Sequence, residues 1–183
     1  MIRLYNHTGI DDKPIRGVLT FAASRIGVVG DVAVKVTPNR LVDGHYSGVA
    51  QGGFPYISYL QDKPRAKWGG RMANTPTGYI EIALPGKQVA ESKQEIEAGQ
   101  QFLHTALHEM SHVLDYREHF YEREPRTANG RRLAHDKRPC ELRAENRVYD
   151  ALQGGWAKRR ADELIIALAI AIEAGERGRQ DGN

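Results

Sequence analysis

Apolar positions fall along this chain in blocks whose spacing alternates between β-type and helical. Ile2 to Asn6 predicts a short strand, and Pro14 to Ile26 carries apolar residues at helical spacing, with Asp12 available as a cap ahead of Pro14. Asp31 to Val36 alternates Val and Ala around a lysine, and Tyr56 to Leu60 is a second short β-type run. Between them Gly44, Gly48, Gly52 and Gly53 mark loops. Thr77 to Leu84, reading Thr-Gly-Tyr-Ile-Glu-Ile-Ala-Leu, predicts another strand, ended by Pro85-Gly86.

The pattern then becomes helical. From about Glu97 to Tyr116, the residues Phe102, Leu103, Ala106, Leu107, Met110, Val113 and Leu114 recur so as to share one face of a helix. A polar segment containing glycine and proline, Glu122 to Arg138, separates it from two further helices. These are Pro139 to Leu152, with proline suited to the first helical position, and Trp156 to Glu173 after Gly154-Gly155. The expected class is α+β: a small N-terminal mixed sheet with one helix, then the helix around residue 108, then two C-terminal helices. One domain over residues 1–175 and a disordered tail over 176–183 are expected.

Composition narrows the setting but not the activity. The chain has 183 residues and a formal net charge of +3, weak evidence about partners. Its one cysteine, Cys140, excludes an internal disulfide and fits a reducing compartment. The N-terminal residues Met1 to His7 lack the apolar core of a signal peptide. The most apolar segment, Leu164 to Ile172, is flanked by charges and short of the roughly 20 residues that a membrane helix needs. A cytoplasmic protein with no membrane partner is the expectation.

The candidate chemistry lies in His108-Glu109-Met110-Ser111-His112. On a helix the i, i+4 spacing puts two imidazoles one turn apart on one face, where both can reach a single zinc ion at about 2.0–2.1 Å. Glu109 beside them is placed to take a proton from water on the metal. A catalytic zinc usually takes three protein ligands and keeps one position open. Glu118 lies nearly two turns beyond His112, too far along a continuous helix, and the sharp turn that would return it falls at Asp115, where the metzincin pattern carries glycine. His119 meets the same difficulty, and His135 is an alternative from the loop. Glu141 is the stronger candidate: it opens the helix begun by Pro139, and Ala144 one turn on lets two helices approach closely. Glu145 could then hydrogen-bond the free nitrogen of a ligating histidine; the alternative is that both glutamates are exposed helix carboxylates.

With these residues in place the chain resembles the gluzincin metallopeptidases, in which His-Glu-x-x-His is completed by a glutamate on a later helix. More narrowly, His108-Glu109-x-x-His112-x-x-Asp115-x-Arg117 followed by Cys140-Glu141-x-Arg143-Ala144 is similar to the peptidases that process a mitochondrial ATP synthase subunit. Pro139-x-Glu141-x-x-Ala144 is also similar to small bacterial and phage zincins. The resemblance covers His108 to Glu145 and implies a zincin-like fold, ligands His108, His112 and Glu141, the base Glu109 and the cofactor Zn2+. It implies no substrate.

The reaction expected is peptide-bond hydrolysis by a zinc-activated water with Glu109 as general base, acting on a protein or peptide. Tyr116, Tyr149 and His135 are candidates to share the charge of the tetrahedral intermediate. His104, one turn before His108, could line the cleft or act as an ordinary structural residue. Asp115 could orient a ligand or pair with Arg143. The strand Tyr79 to Leu84 could align an extended peptide or merely complete the sheet.

Two other functions remain open. Lys63-Pro64-Arg65-Ala66-Lys67-Trp68, Trp156-Ala157-Lys158-Arg159-Arg160, Arg131-Arg132 and Lys137-Arg138 combine basic residues with tryptophan, as a nucleic-acid-associated protease of the SprT-like kind would, or as solvated surface charge would. A non-catalytic binding module stabilised by zinc is the second, and Glu109 argues against it.

Overall fold

The computed structural model describes residues 1–38, 78–84, 94–118, 125–130, 133–134 and 137–180. Its elements run β1 (Ile2–Asn6), α1 (Asp12–Ile26), β2 (Val32–Pro38), β3 (Gly78–Leu84), α2 (Gln94–Arg117), α3 (Pro139–Ala151) and α4 (Gly155–Gln180). The class is α+β, as the residue pattern predicts.

The three strands form one sheet in the order β1-β2-β3, with both pairings parallel. Among the described residues the sheet is parallel throughout; the further strand expected over Tyr56 to Leu60 falls outside them. The parallel sense comes from the crossover: α1 carries the chain back across the sheet between β1 and β2, and only then can the two strands run the same way. Register sets Leu4 opposite Val34 and Val34 opposite Ile80. As the central strand, β2 reads almost continuously apolar, and Val32, Ala33, Val34 and Val36 are all buried.

The N-terminal cap of α1 is Asp11, not Asp12: its side chain accepts from the Lys13 N–H at 3.0 Å. Asp12 opens the helix and its Oδ1 accepts instead from Asn6 Nδ2 at 2.9 Å, tying α1 to the end of β1. At the other end Gly27 takes φ of 82°, and its N–H and that of Val28 close onto Ala23 and Ser24 carbonyls. A side chain there would be strained.

Helix α2 threads the middle of the molecule, packing against β3 and the other three helices. Phe102, Leu107 and Met110 are fully buried on it and join Ile15, Leu19, Ile80, Ile82 and Leu168 in one core. Gly99 marks a close approach of α2 to α4, since a Cβ there would meet the Ile165 carbonyl oxygen at 3.0 Å. Helix α4 runs past Glu173 to Gln180, so helix extends into the segment expected to be a disordered tail. None of the described helices is long and apolar enough to cross a membrane.

Candidate metal centre

The apolar face of α2 is fixed by the core, and that fixes its polar face as well. His108 and His112, four residues apart, emerge together where α3 crosses, their ring centroids 4.7 Å apart and nearly perpendicular. Pro139 starts α3, and Glu141 follows in the first turn, where a carboxylate also suits the positive end of the helix. Ala144, one turn beyond Glu141 on α3, is fully buried, and its small side chain is compatible with close helix packing.

Three donor atoms converge. His108 Nε2 and His112 Nε2 each lie 3.1 Å from Glu141 Oε2, and 3.0 Å from one another. His108, His112 and Glu141 form a group that could hold a metal ion. A tetrahedral ion with bonds of about 2.0–2.1 Å keeps its ligand atoms about 3.3–3.4 Å apart, so these spacings fit with little adjustment. The chemistry of the set points the same way. His108 Nδ1 is 2.8 Å from Glu145 Oε1, which makes Nδ1 the N–H of a neutral ring and leaves Nε2 with its lone pair facing the other two donors. Such a concentration of electron pairs, with His112 only 4 % exposed, is relieved by a cation or by a proton.

Without a cation the surroundings favour the protonated form of His108. Burial pulls its pKa down, but the hydrogen bond to Glu141 and the charges of Glu145 and Glu141 outweigh this, and the net shift is upward. Glu109, one residue on, is 5 % exposed, and its Oε2 has no hydrogen-bond partner. Burial first, and then the charge of Glu141, push its pKa well above the ordinary carboxylate value. A buried carboxyl oxygen with nothing to bond costs about 1–3 kcal/mol. It is the strongest sign that this turn of α2 is built for something besides packing.

Around this group the structure brings together several of the expected residues. Glu145 touches His108, and His104 Nε2 lies 3.3 Å from Glu145 Oε2, with its ring stacked 6.4 Å from that of His108. His104 and Glu145 are half exposed, so this is the solvent side of the group. Asp115 pairs with Arg143, as one of its two readings has it, through Nε at 3.0 Å and a terminal nitrogen at 2.8 Å. Arg147, which the residue pattern did not single out, joins them: it donates to Asp115 Oδ1 at 2.5 Å and to the Ser111 carbonyl at 3.1 Å. Its i+4 spacing from Arg143 was the available signal.

Other expected residues stand apart. α2 continues unbroken through Arg117, and Glu118 faces Arg147 at 3.5 Å rather than the ligand group. Tyr149 is exposed and about 12 Å along α3 from Glu141, which removes it from the donor group. Tyr116 belongs to α2, but its side chain, like His119 and His135, lies outside the described residues. So do Lys63 to Trp68 and Arg131-Arg132. In the two basic segments that are described, Arg138 Nε donates to the Leu133 carbonyl at 2.9 Å, the Trp156 ring sits 6.4 Å from Phe21, and Arg160 pairs with Glu163 at 2.7 Å. β3 forms one edge of the described sheet, with α2 packed against it.

Compared with known proteins, the chain matches no family model, no curated protein and no solved structure.

Proposed function

We propose that this protein is a zinc-dependent metallopeptidase, with His108, His112 and Glu141 as ligands and Glu109 as general base. One observation carries the reading: a buried glutamate with an unpartnered oxygen stands one residue from a three-donor group. A purely structural zinc is closed by four protein ligands and has no use for such a carboxylate. Softer or harder ions are less suited to two imidazoles and one carboxylate, a set typical of catalytic zinc.

When bound, zinc supplies a Lewis acid that polarises the scissile carbonyl and acidifies water. Glu109 accepts the proton at Oε2 as the water oxygen bonds to the carbonyl carbon. It then returns that proton to the amide nitrogen as the C–N bond breaks, so the amine leaves neutral. The raised pKa of Glu109 favours holding the accepted proton until it passes to the leaving nitrogen. A cation on Glu141 would offset the second of its two causes and lower that pKa, while burial, the larger cause, would keep it raised. Glu145 holds the His108 ring by its far nitrogen, so that Nε2 keeps its direction.

The test is zinc content and cleavage of a proteome-derived peptide library by the parent and by Glu109→Gln. The parent should bind about one equivalent of zinc and cleave. The variant should keep the zinc and lose about 10²-fold or more in rate. Equal cleavage by the variant overturns the mechanism. Zinc binding by the parent with no cleavage anywhere in the library would make the protein a non-catalytic zinc-stabilised module instead.

A further inference from the structure

The contact between α2 and α3 carries two ladders of polar residues side by side. One is the donor group, with His108 opposite Glu145 and His112 opposite Glu141. The other runs along the adjacent strip of both helices: Arg147 lies opposite the Ser111 carbonyl, and Asp115 between Arg143 and Arg147. The Asp115 side chain is 1 % exposed, with Arg143 on Oδ2 and Arg147 on Oδ1. A carboxylate so deeply buried is held by its pairing, because leaving it uncompensated is strongly unfavourable.

The first ladder is ambiguous by itself. Glu141 and Glu145 are one helical turn apart on the same face, so sliding α3 by one turn, about 5.4 Å, would put Glu145 where Glu141 now meets both histidines. The second ladder breaks that symmetry. The same slide would carry Arg147 into the place of Arg143 and bring Ala151, which has no charge, into the place of Arg147. Asp115 would then keep one arginine in place of two.

We infer that the clamp of Arg143 and Arg147 on Asp115 selects the register of α3, and so decides that Glu141 rather than Glu145 is the third metal ligand. This rests on the metal-binding part of the reading above and not on peptide hydrolysis. Asp115, Arg143 and Arg147 are positioning residues: their clamp acts through the placing of Glu141.

Cobalt(II) is the probe, because it takes the same donors and its visible absorption reports the ligand set. Asp115→Asn should bind Co2+ about 10–100-fold more weakly than the parent. Its spectrum should move toward that of Glu141→Ala, although Glu141 is still present. Arg147→Ala should shift both in the same direction, and Arg143→Lys, which keeps the charge and loses the fork, by less. Leu168→Ala, a fully buried core position on α4, controls for stability: it should lower the melting temperature and leave affinity and spectrum as in the parent. Should Asp115→Asn fail to fold, Arg147→Ala and Arg143→Lys decide the question alone. Parent affinity and parent spectrum in the folded clamp variants would overturn the inference. A parent protein that binds no Co2+ at millimolar concentration would overturn the metal reading beneath it.

Discussion

Nδ1 of His108 lies 2.8 Å from Oε1 of Glu145, a residue half exposed to solvent on the facing helix. This contact fixes which ring nitrogen carries hydrogen, and so which is left to bind. Replacing Glu145 by Gln keeps the shape but removes the charge that favours Nδ1–H. Zinc affinity should fall about 10–100-fold, measured by competition with a chromogenic chelator, with the fold intact. Unchanged affinity would reduce Glu145 to an ordinary surface carboxylate.

Glu141→Ala removes a ligand and should cost much more. Two histidines on one helix still bind, but weakly, and the bound ion should no longer stabilise the junction of α2 and α3. In the parent, zinc at about 1,000 times its dissociation constant should add about 4 kcal/mol to stability. In the variant most of that gain should vanish, read as the zinc-dependent rise in melting temperature.

The pKa of His108 sets opposite pH trends for the two forms. In the metal-free protein it is raised above its unfolded value, so its contribution to stability is fully present below the unfolded pKa and is lost as pH rises through the folded one. Zinc must displace that proton, and its affinity should fall as pH drops through the same region. Melting curves across about pH 5.5 to 8.5 should show the zinc-induced stabilisation growing with pH while the apo protein loses this contribution. Parallel trends would show that His108 is not a ligand.

Gly99→Ala tests the packing that holds α2 in place. Alanine favours helix by about 1 kcal/mol over glycine, but its Cβ would press on the Ile165 carbonyl, a backbone atom with little freedom to move. Overpacking of this kind costs about 1–3 kcal/mol, so the urea midpoint should fall. A rise would mean that α2 and α4 can separate without loss.

Much of the candidate site could be read from residues because it is local. His108, Glu109 and His112 need only a helix, and the apolar period of α2 announces one. Glu141 was accessible for a related reason, since Pro139 marks where α3 begins and thereby which residues fall in its first turn. What lay beyond reach depends on how distant elements meet. The parallel sense of β1 and β2 is a property of the crossover through α1. Arg147 looks like any solvated arginine until α3 crosses α2 and Asp115 appears between it and Arg143. The choice of Asp11 over Asp12 as cap was lost for another reason: adjacent aspartates offer the same chemistry, and Asn6 decides between them.

Cys140 stands beside the candidate ligand Glu141 with its thiol buried, 3.8 Å from the carboxylate's Oε1. Alkylating it requires the first turn of α3 to open, and that turn is the one an ion at Glu141 would pin. The chain's single thiol is therefore a built-in reporter. Its rate of labelling, slow in the loaded protein and faster after chelation, would follow occupancy of the centre without any added dye or substrate.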